Sequence, residues 1–283
     1  MCRALAADGA EVIALLRPGS APLNGIASLE GDLLHPQRLT ASLDHVRPDI
    51  IFHLAGFTSA ARGVEAVLPS FHANVASVVN LLTAATHVGC QRVVLAGSLE
   101  EPQGELAIPS SPYAASKGAA LSYARMFWRL YRTPVTVARI FMVYGPGQRD
   151  MNKLIPYTIL SLLRGDELHF SGGARLVDWV FVDDVARGLV ALSGTADAEG
   201  QSVDLGTGVL TSVRQIVEHL IEVVGVPARP QFGALPDRPD EQVRRADVVR
   251  TEALLGWRPV VSLDEGLRRT VEFYRHQGKA GLS

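Results

Sequence analysis

Four residues in one short stretch, LAGSLEEPQGELAIPSSPYAASKGAA, have side chains that could move a proton. They are Ser98, Glu100, Tyr113 and Lys117, in that order along the chain. Tyr113 and Lys117 are four residues apart, and this spacing places two side chains on one face of a helix, about one turn apart. Pro112 directly precedes the tyrosine, and proline is favoured in the first turn of a helix. We therefore predict that the pair lies where a helix begins.

This trio of hydroxyl, phenol and ammonium suits one kind of chemistry. A tyrosine with its ordinary pKa of about 10 is a poor base at neutral pH. We expect the ammonium of Lys117 to favour the phenolate and lower the pKa of Tyr113. Ser98 could hydrogen-bond the same substrate oxygen. The combination predicts proton transfer coupled to hydride transfer at an alcohol or ketone. Taken singly, each residue is equally typical of a surface tyrosine, a solvated lysine or a strand-end serine.

Alternating strand and helix patterns surround these residues. Continuous apolar runs predict strands at 11–17, 49–56, 91–97 and 134–140, with a shorter one within 25–34. Helical spacing covers 35–46, roughly 64–88 and roughly 112–132. Such βαβ alternation predicts an α/β fold with a doubly wound parallel sheet, a Rossmann-like arrangement. Ligands bind at the carboxyl ends of the strands in such sheets, and Ser98 directly follows one of these ends.

The pattern changes after Tyr144, which indicates a second lobe. YGPGQRD predicts a loop, a helix follows at 153–164, and VDWVFVDDVARGLVAL predicts a strand running into a helix. SVDLG predicts one more strand, and VSLDEGLRRTVEFYRHQ predicts an amphipathic helix. We assign 1–145 to a nucleotide-binding domain to which 176–208 returns. We assign 146–175 and 209–283 to a smaller substrate-binding lobe.

Composition and charge exclude several classes of protein. The 283 residues are 47% hydrophobic and 20% charged, with a net charge of −2, as is ordinary for globular domains. The chain has no basic run, so nucleic acid is not a favoured partner. Cys2 and Cys90 have neither metal-ligand spacing nor a disulfide pattern, which predicts a reducing cytoplasm and no metal site. We find no apolar run near the ~20 residues of a bilayer span and predict no membrane partner.

Eight motifs, in order, resemble those of the extended short-chain dehydrogenase/reductases, in particular the NAD-dependent epimerase/dehydratase group that modifies nucleotide sugars. The motifs cover nearly the whole chain: GDLL at 31–34, HLAG at 53–56, NVASVVNLLTAA at 74–85, VVLAGS at 93–98, YAASK at 113–117, ARIFMVYGPGQ at 138–148, DWVFVDDVARG at 178–188 and LGWRPVVSLDEGLRRTVEFYR at 255–275. The resemblance implies that Ser98, Tyr113 and Lys117 are catalytic. It also implies that Lys117 holds the ribose of the nicotinamide and that the substrate is a nucleotide-activated sugar.

The residues after Ser98 bear on the reaction. In the 4,6-dehydratases that the chain resembles, an Asp and a Glu follow the catalytic hydroxyl and remove water from the sugar. Leu99 and Glu100 stand at these positions, and leucine cannot donate a proton. The resemblance therefore favours epimerisation or 4-keto reduction, with dehydration as the alternative. We expect Glu100 to contact the sugar in the pocket, and we interpret Glu101 as a solvated loop charge.

The cofactor is expected to be NAD or NADP. An acidic residue at the end of strand 11–17 would bind the ribose 2′-hydroxyl of NAD, whereas Arg17 favours the 2′-phosphate of NADP. A solvated arginine before a turn is the alternative. The resemblance places five further residues against the cofactor: Asp32, Leu33, Leu54, Ala55 and Gly56. We interpret His53 as a structural residue at a strand end rather than as a catalyst.

The substrate lobe departs from the pattern that the chain resembles at two positions. Met142 stands where an Asn usually contacts the diphosphate, and Val177 stands where an Arg usually precedes Asp. Arg175, Arg238 and Arg244 are the candidates to replace that Arg, since arginine binds phosphate bidentately. Each could equally be a solvated charge. A carbonyl substrate other than a sugar therefore stays open.

Proteins of the family that this chain resembles open with a strand and a Gly-x-x-Gly-x-x-Gly turn that leads into the first helix. The sequence MCRALAADGAEV resembles the second half of that helix. These glycines let the backbone approach the pyrophosphate, which lies at the helix N-terminus. The first glycine, Gly9, fits a helix C-terminus instead. A misassigned start, a lost segment and a natural protein that binds dinucleotide poorly are the three explanations. We favour the first two and expect roughly 15–25 further residues before Met1. The third motivates an alternative, a non-catalytic dinucleotide sensor or scaffold.

The helical segments 64–88 and 112–132 suggest a homodimer. Apolar residues occupy more than one face of each: Val75, Val78, Val79, Leu81 and Leu82 on the first and Met126, Phe127 and Leu130 on the second. One face must cover the sheet, and we expect the surplus to be buried against a partner. The resemblance implies that two copies pair these helices in a four-helix bundle.

Overall fold

The computed structural model describes residues 1–59, 61–104, 107–237 and 242–280. The helices in chain order are α1 Cys2–Ala7, α2 Pro36–Val46, α3 Val67–Phe71, α4 Ser77–Val88, α5 Pro112–Tyr131, α6 Leu154–Arg164, α7 Val182–Gly194, α8 Val213–Val224, α9 Val248–Leu255 and α10 Leu263–Ala280. The strands are β1 Ile13–Leu16, β2 Ala27–Glu30, β3 Ile50–His53, β4 Arg92–Ser98, β5 Val135–Ile140, β6 Met142–Tyr144, β7 His169–Phe170, β8 Leu176–Phe181, β9 Ser202–Leu205, β10 Leu210–Ser212 and β11 Gln231–Phe232.

The chain divides into two compact units. Unit 1 consists of Met1–Ile140, Ala186–Asp204 and Thr251–Trp257. Unit 2 consists of Phe141–Val185, Leu205–Arg250 and the segment from Arg258 onward. The division departs from the predicted domains at β8, which we assigned to the nucleotide-binding domain, and at Thr251–Trp257, which we assigned to the substrate-binding lobe. Strand β8 belongs to unit 2 because it pairs with β6 on one side and with β10 on the other.

Parallel strands dominate unit 1. One sheet has the order β3-β4-β5-β9, with β3, β4 and β5 parallel, and β1 and β2 form a separate parallel pair. The segment with α3 and α4 connects β3 to β4, and α5 connects β4 to β5, as parallel pairing requires. The predicted α/β class with a parallel sheet is confirmed. Strand β4 is central, and Ser98 is its last residue.

The core of unit 1 lies between this sheet and the helices α2, α4 and α5. Its members include Leu82 and Val93, which have no exposed surface. The sequence argument for surplus apolar surface is wrong for five of its eight residues. Val75, Val78, Leu81, Leu82 and Phe127 are buried within the chain.

A different apolar stripe is exposed on the segment from Val64 to Val88. Val64, Val67, Leu68 and Phe71 lie three, four and seven positions apart, so they share one helical face. Leu130 on α5 is also exposed. By length and composition, Val64–Val88 could cross a membrane, contrary to our count of apolar runs. Its second half packs into the unit 1 core, as a core helix does.

Unit 2 has a core of its own. A three-stranded sheet of order β10-β8-β6 and the helices α6, α8 and α10 enclose it, and β7 pairs with β11. Six of the elements, from both units, had no sequence prediction: β6, β7, β10, β11, α8 and α9. Strands of two or three residues are too short for a recognisable alternation of apolar residues.

Candidate active site

The turn that follows β4 is built around Ser98. Its backbone N–H donates to Oε1 of Glu101 at 2.9 Å, and its hydroxyl accepts the N–H of Glu100 at 3.2 Å. Ser98 is buried, as is Leu99, whose N–H donates to the carbonyl of Ile140 at 3.0 Å. Ser98 therefore lies at the carboxyl end of a central parallel strand, in the position that the sequence predicted.

Tyr113 and Lys117 lie in the first turns of α5, so the predicted helix start is confirmed. Ser111 caps the helix, because its hydroxyl accepts the N–H of Ala114 at 3.1 Å, and Pro112 is the first helical residue. Both side chains face the end of β4. The Ser98 hydroxyl lies near enough to the Tyr113 phenol to favour its phenolate form, and Lys117 Nζ donates to the Ala96 carbonyl at 2.6 Å. The structure thus brings all three predicted residues together.

The pKa of Tyr113 differs from our expectation. Burial raises it to about 12, the neighbouring Ser98 hydroxyl opposes this rise, and the charges of Glu100 and Glu101 add to it. We expected the ammonium of Lys117 to lower it. Instead Lys117 Nζ is bonded to a backbone carbonyl and lies 5.8 Å from the centroid of the Tyr113 ring. Burial lowers the pKa of Lys117 to about 8, and the charge of Glu101 opposes that change.

Glu101 is not the solvated loop charge that we predicted. The residue is 1% exposed, and its Oε2 accepts Nε of Arg139 at 3.0 Å. Glu100 is partly exposed, and its charge acts on Tyr113. Two adjacent glutamates therefore have different surroundings, and residue type and spacing alone did not separate them.

Asn74 is a residue that the sequence analysis missed. It lies in a π-helical turn, His72–Ala76, between α3 and α4, and such turns often occur at functional sites. Its side chain exchanges two hydrogen bonds with the backbone of Phe57, at 2.8 and 3.0 Å, and donates to Ser116 Oγ at 2.9 Å. Asn74 therefore ties the loop after β3 to α5. The sequence signal that could have identified it is an asparagine within a mostly apolar helical segment.

The residues at the strand ends fit a dinucleotide. Leu54, Ala55 and Gly56 are exposed in the loop that directly follows β3. A Cβ on Gly56 would lie 2.8 Å from Asn74 Oδ1 and 3.8 Å from Lys117 Nζ, so only glycine leaves this space beside the ammonium open. A flat ring and its ribose could approach the backbone there.

A second group of cofactor candidates follows the parallel pair β1 and β2. Arg17 is exposed directly after β1, and Asp32 lies in the turn after β2, where its Oδ1 accepts the N–H of Leu34 at 2.9 Å. Leu33 is partly buried, and its carbonyl accepts Asn80 Nδ2 at 2.8 Å. Because parallel strands end at the same edge, these residues share the edge at which β1 and β2 end.

The substrate candidates of unit 2 have varied surroundings. Met142 begins β6 and is partly buried against the unit 2 core, whereas Val177 is fully within it. Arg175 precedes β8, and its carbonyl accepts the N–H of Val213 at 3.0 Å. The guanidinium of Arg244 lies 5.9 Å from the centroid of the Phe141 ring. Arg238 lies outside the described residues.

Comparison with known proteins adds a family and named relatives. Residues 1–206 match the NAD dependent epimerase/dehydratase family. A UDP-glucose 4-epimerase of Mycolicibacterium smegmatis is 36% identical over 256 residues, which are 85% of this chain and 80% of that protein. A dTDP-glucose 4,6-dehydratase of Neisseria gonorrhoeae is 31% identical over 270 residues, 83% of this chain and 78% of that protein. The structure of UDP-glucose 4-epimerase of Thermotoga maritima, solved with UDP-glucose, has a TM-score of 0.88 at 28% identity and covers 97% of this chain and 94% of its own.

His53 generates a prediction about acid stability. It is buried at the end of β3, and burial, with a smaller contribution from the charge of Lys117, lowers its pKa from 6.5 to about 4. The folded state disfavours protonation of His53, whereas the unfolded state takes up the proton near pH 6.5. The group therefore leaves the stability of the fold intact above pH 6.5 and lowers it as the pH falls toward 4. We expect the free energy of unfolding to fall by about 3 kcal/mol over that range through this group.

Urea denaturation at a series of pH values measures this effect. His53→Gln should flatten the dependence between about pH 6.5 and 4, because glutamine does not titrate. The control is His45→Gln, which removes an exposed histidine of α2 and should leave the dependence as it is in the wild type. Equal pH dependence in wild type and His53→Gln would contradict the prediction.

Proposed function

Because the chain belongs to the NAD-dependent epimerase/dehydratase family, we propose that it is an epimerase of a nucleotide-activated hexose. A single observation carries the proposal. The Ser98 hydroxyl and the Tyr113 phenol lie together at the end of β4 with Lys117 one turn away, while the residue after Ser98 is a buried leucine. This set supplies an acid and base for an alcohol but not the additional acid for removing water. The M. smegmatis and T. maritima 4-epimerases support the choice.

In the proposed reaction, the residues of the chain orient the sugar and move its proton. NAD, when bound, supplies a reversible hydride acceptor. Tyr113 accepts the proton of the sugar hydroxyl and later returns it, and the hydroxyl of Ser98 orients that oxygen. Lys117, one turn from Tyr113 on α5, holds its ammonium at the end of β4 through the Ala96 carbonyl, beside the space that Gly56 leaves open. Gly56 leaves the backbone open to the cofactor beside the ammonium.

Two related reactions are the other candidates. A 4-keto-sugar reductase would use the same three residues and would consume reduced cofactor with each turnover. A 4,6-dehydratase is supported by the N. gonorrhoeae relative, and Glu100, whose charge acts on Tyr113, could serve as its base. Leu99 stands where that reaction needs an acid, so dehydration is the least favoured of the three. The products separate them, since an epimerase gives an isomer and a dehydratase gives a keto-sugar that has lost water.

We assign the two units different tasks. Unit 1 carries every cofactor candidate, and we propose that it binds the dinucleotide. Unit 2 carries Met142, Arg175 and Arg244, and we propose that it binds the nucleotide sugar, with Arg238 and Glu100 contributing. We also propose a cytoplasmic enzyme with neither nucleic acid nor membrane as partner. The two free cysteines, Cys2 and Cys90, support this location.

We propose that NADP is preferred over NAD, because exposed Arg17 follows β1 where an acidic residue would select NAD. Fluorescence titration of the chain with both dinucleotides tests this preference. Arg17→Ala should weaken NADP binding about tenfold, the scale of one charge-assisted hydrogen bond, and leave NAD binding unchanged. Arg38→Ala removes an exposed arginine of α2 and should alter neither. Tighter binding of NAD by the wild type would refute the preference.

The proposed chemistry predicts a large effect at Tyr113. With UDP-glucose and either dinucleotide, Tyr113→Phe should lower kcat by at least about a hundredfold, because the phenol is the acid and base. Tyr123→Phe, at an exposed tyrosine of the same helix, should keep wild-type turnover. The reaction is run without added reductant, and chromatography measures the amount of epimer that forms. Dinucleotide binding by the wild type without turnover of any carbonyl or sugar substrate would favour a sensor instead.

We also propose a homodimer formed through the exposed apolar stripe of Val64, Val67, Leu68 and Phe71. A stripe of four such side chains at helical spacing is typical of a helix that packs against another element. Light scattering at micromolar concentration should give twice the chain mass, and Leu68→Glu should shift the protein toward monomer. Ile108→Glu places the same charge at another highly exposed aliphatic residue and should leave the dimer intact. A monomeric wild type would contradict the proposal.

A further inference from the structure

The turn after β4 contains a buried carboxylate that the proposed mechanism does not use. Glu101 has 1% of its surface exposed, and each of its oxygens has a partner. Oε1 accepts the N–H of Ser98 at 2.9 Å, and Oε2 accepts Nε of Arg139 at 3.0 Å. The carboxylate therefore connects the residue that orients the substrate oxygen to a cation on β5.

Arg139 is held from its other side. Its Nη1 donates to Oδ1 of Asp204 on β9 at 2.6 Å, and both side chains are at most 12% exposed. Glu101, Arg139 and Asp204 thus form a network that begins at Ser98 and crosses the sheet to β9. Because this network buries three charges, removal of Arg139 would take from the buried Glu101 carboxylate the cation that its Oε2 contacts, which is costly.

The strand is shaped to admit this carboxylate. Gly97 lies directly opposite Arg139 in the pairing of β4 with β5, so any side chain at position 97 would share a sheet face with Arg139. A Cβ there would lie 2.3 Å from Glu101 Oε1 and 2.7 Å from Val137 Cγ1. Glycine at this position therefore gives Glu101 access to the backbone of Ser98.

We propose that Glu101 is a positioning residue that fixes the backbone of Ser98, so that its hydroxyl meets the oxygen to which Tyr113 transfers a proton. Arg139 and Asp204 fix Glu101 in turn. This proposal deepens the proposed function and rests on it. Glu101 touches neither the phenol nor the ammonium by a hydrogen bond among the described residues, so we expect it to act through Ser98.

A double-mutant cycle separates positioning from a merely structural role. Glu101→Gln keeps an acceptor for the Ser98 N–H but loses the charge that holds Arg139, and we expect kcat to fall about tenfold with KM within about twofold. In a Ser98→Ala background the same change should cost less than about twofold, because no hydroxyl is left to position. Equal losses in both backgrounds, or none in either, would overturn the proposal.

The pH profile is the second readout. Among the described residues, the groups that act on Tyr113 or Lys117 are Ser98, Glu100, Glu101 and His53. The charge of Glu101 raises the pKa of both Tyr113 and Lys117. The acid limb of kcat should therefore move to lower pH in Glu101→Gln, in either background. Glu65→Gln, which neutralises an exposed glutamate, should not move it. An unmoved limb in Glu101→Gln would count against the assignment.

A third measurement needs no substrate and so distinguishes failure of this proposal from failure of the proposed function. Glu101→Leu removes the acceptor of the Ser98 N–H, and amide hydrogen exchange at Ser98 should accelerate at least tenfold relative to Val94 in the same strand. Glu101→Gln keeps the acceptor but loses the ion pair with Arg139, so we expect its exchange at Ser98 to lie between those of the wild type and Glu101→Leu. If Glu101→Leu does not fold, Glu101→Gln decides the proposal through the cycle and the pH profile. Unchanged exchange in a folded Glu101→Leu would refute it.

Discussion

The site depends on how β4 ends. This strand is covered on both sides by parallel neighbours, and the polar backbone groups at its carboxyl end need partners inside the protein. Lys117 bonds the carbonyl of Ala96, Glu101 bonds the N–H of Ser98, and the carbonyl of Ile140 bonds the N–H of Leu99. Lys117, which the proposed reaction uses, and Glu101, which positions Ser98, thus form hydrogen bonds with the backbone groups at the end of β4. The same hydrogen bonds therefore stabilise the end of the strand and hold the residues of the site in place.

Removal from water gives the site its electrostatic character. The pKa values of Tyr113, Lys117 and His53 all shift so that the neutral form of each group is favoured. The shift is upward for the phenol and downward for the two bases. Burial is the largest cause in each case, and low dielectric disfavours the charged form of any group. Glu101 and Arg139 are also largely removed from water, but they form an ion pair. Charge in this site is therefore retained through partners, and each unpaired group is biased toward neutrality.

Sequence reasoning located the long buried strands and the start of α5, because apolar runs, Pro112 and a four-residue spacing are local signals. It misplaced Glu101, since the turn after Ser98 decides whether a glutamate points inward, and turn geometry is not contained in residue type. It also predicted that Lys117 lowers the pKa of Tyr113. That prediction was wrong because the spacing of two residues along a helix does not show that a carbonyl of β4 will bind the lysine. Helix α8 was missed although Ser212 and Gln215 form a capping box and Gly225 ends the helix.

The buried carboxylate has opposite effects on the two groups it faces. Glu101 raises the pKa of Tyr113, which disfavours the phenolate, and raises the pKa of Lys117, which favours the ammonium. An epimerase needs the phenol as a base in one half of its reaction and as an acid in the other. Without Glu101, burial would leave Lys117 closer to losing its proton. The carboxylate therefore favours the protonated form of both groups, the phenol of Tyr113 and the ammonium of Lys117.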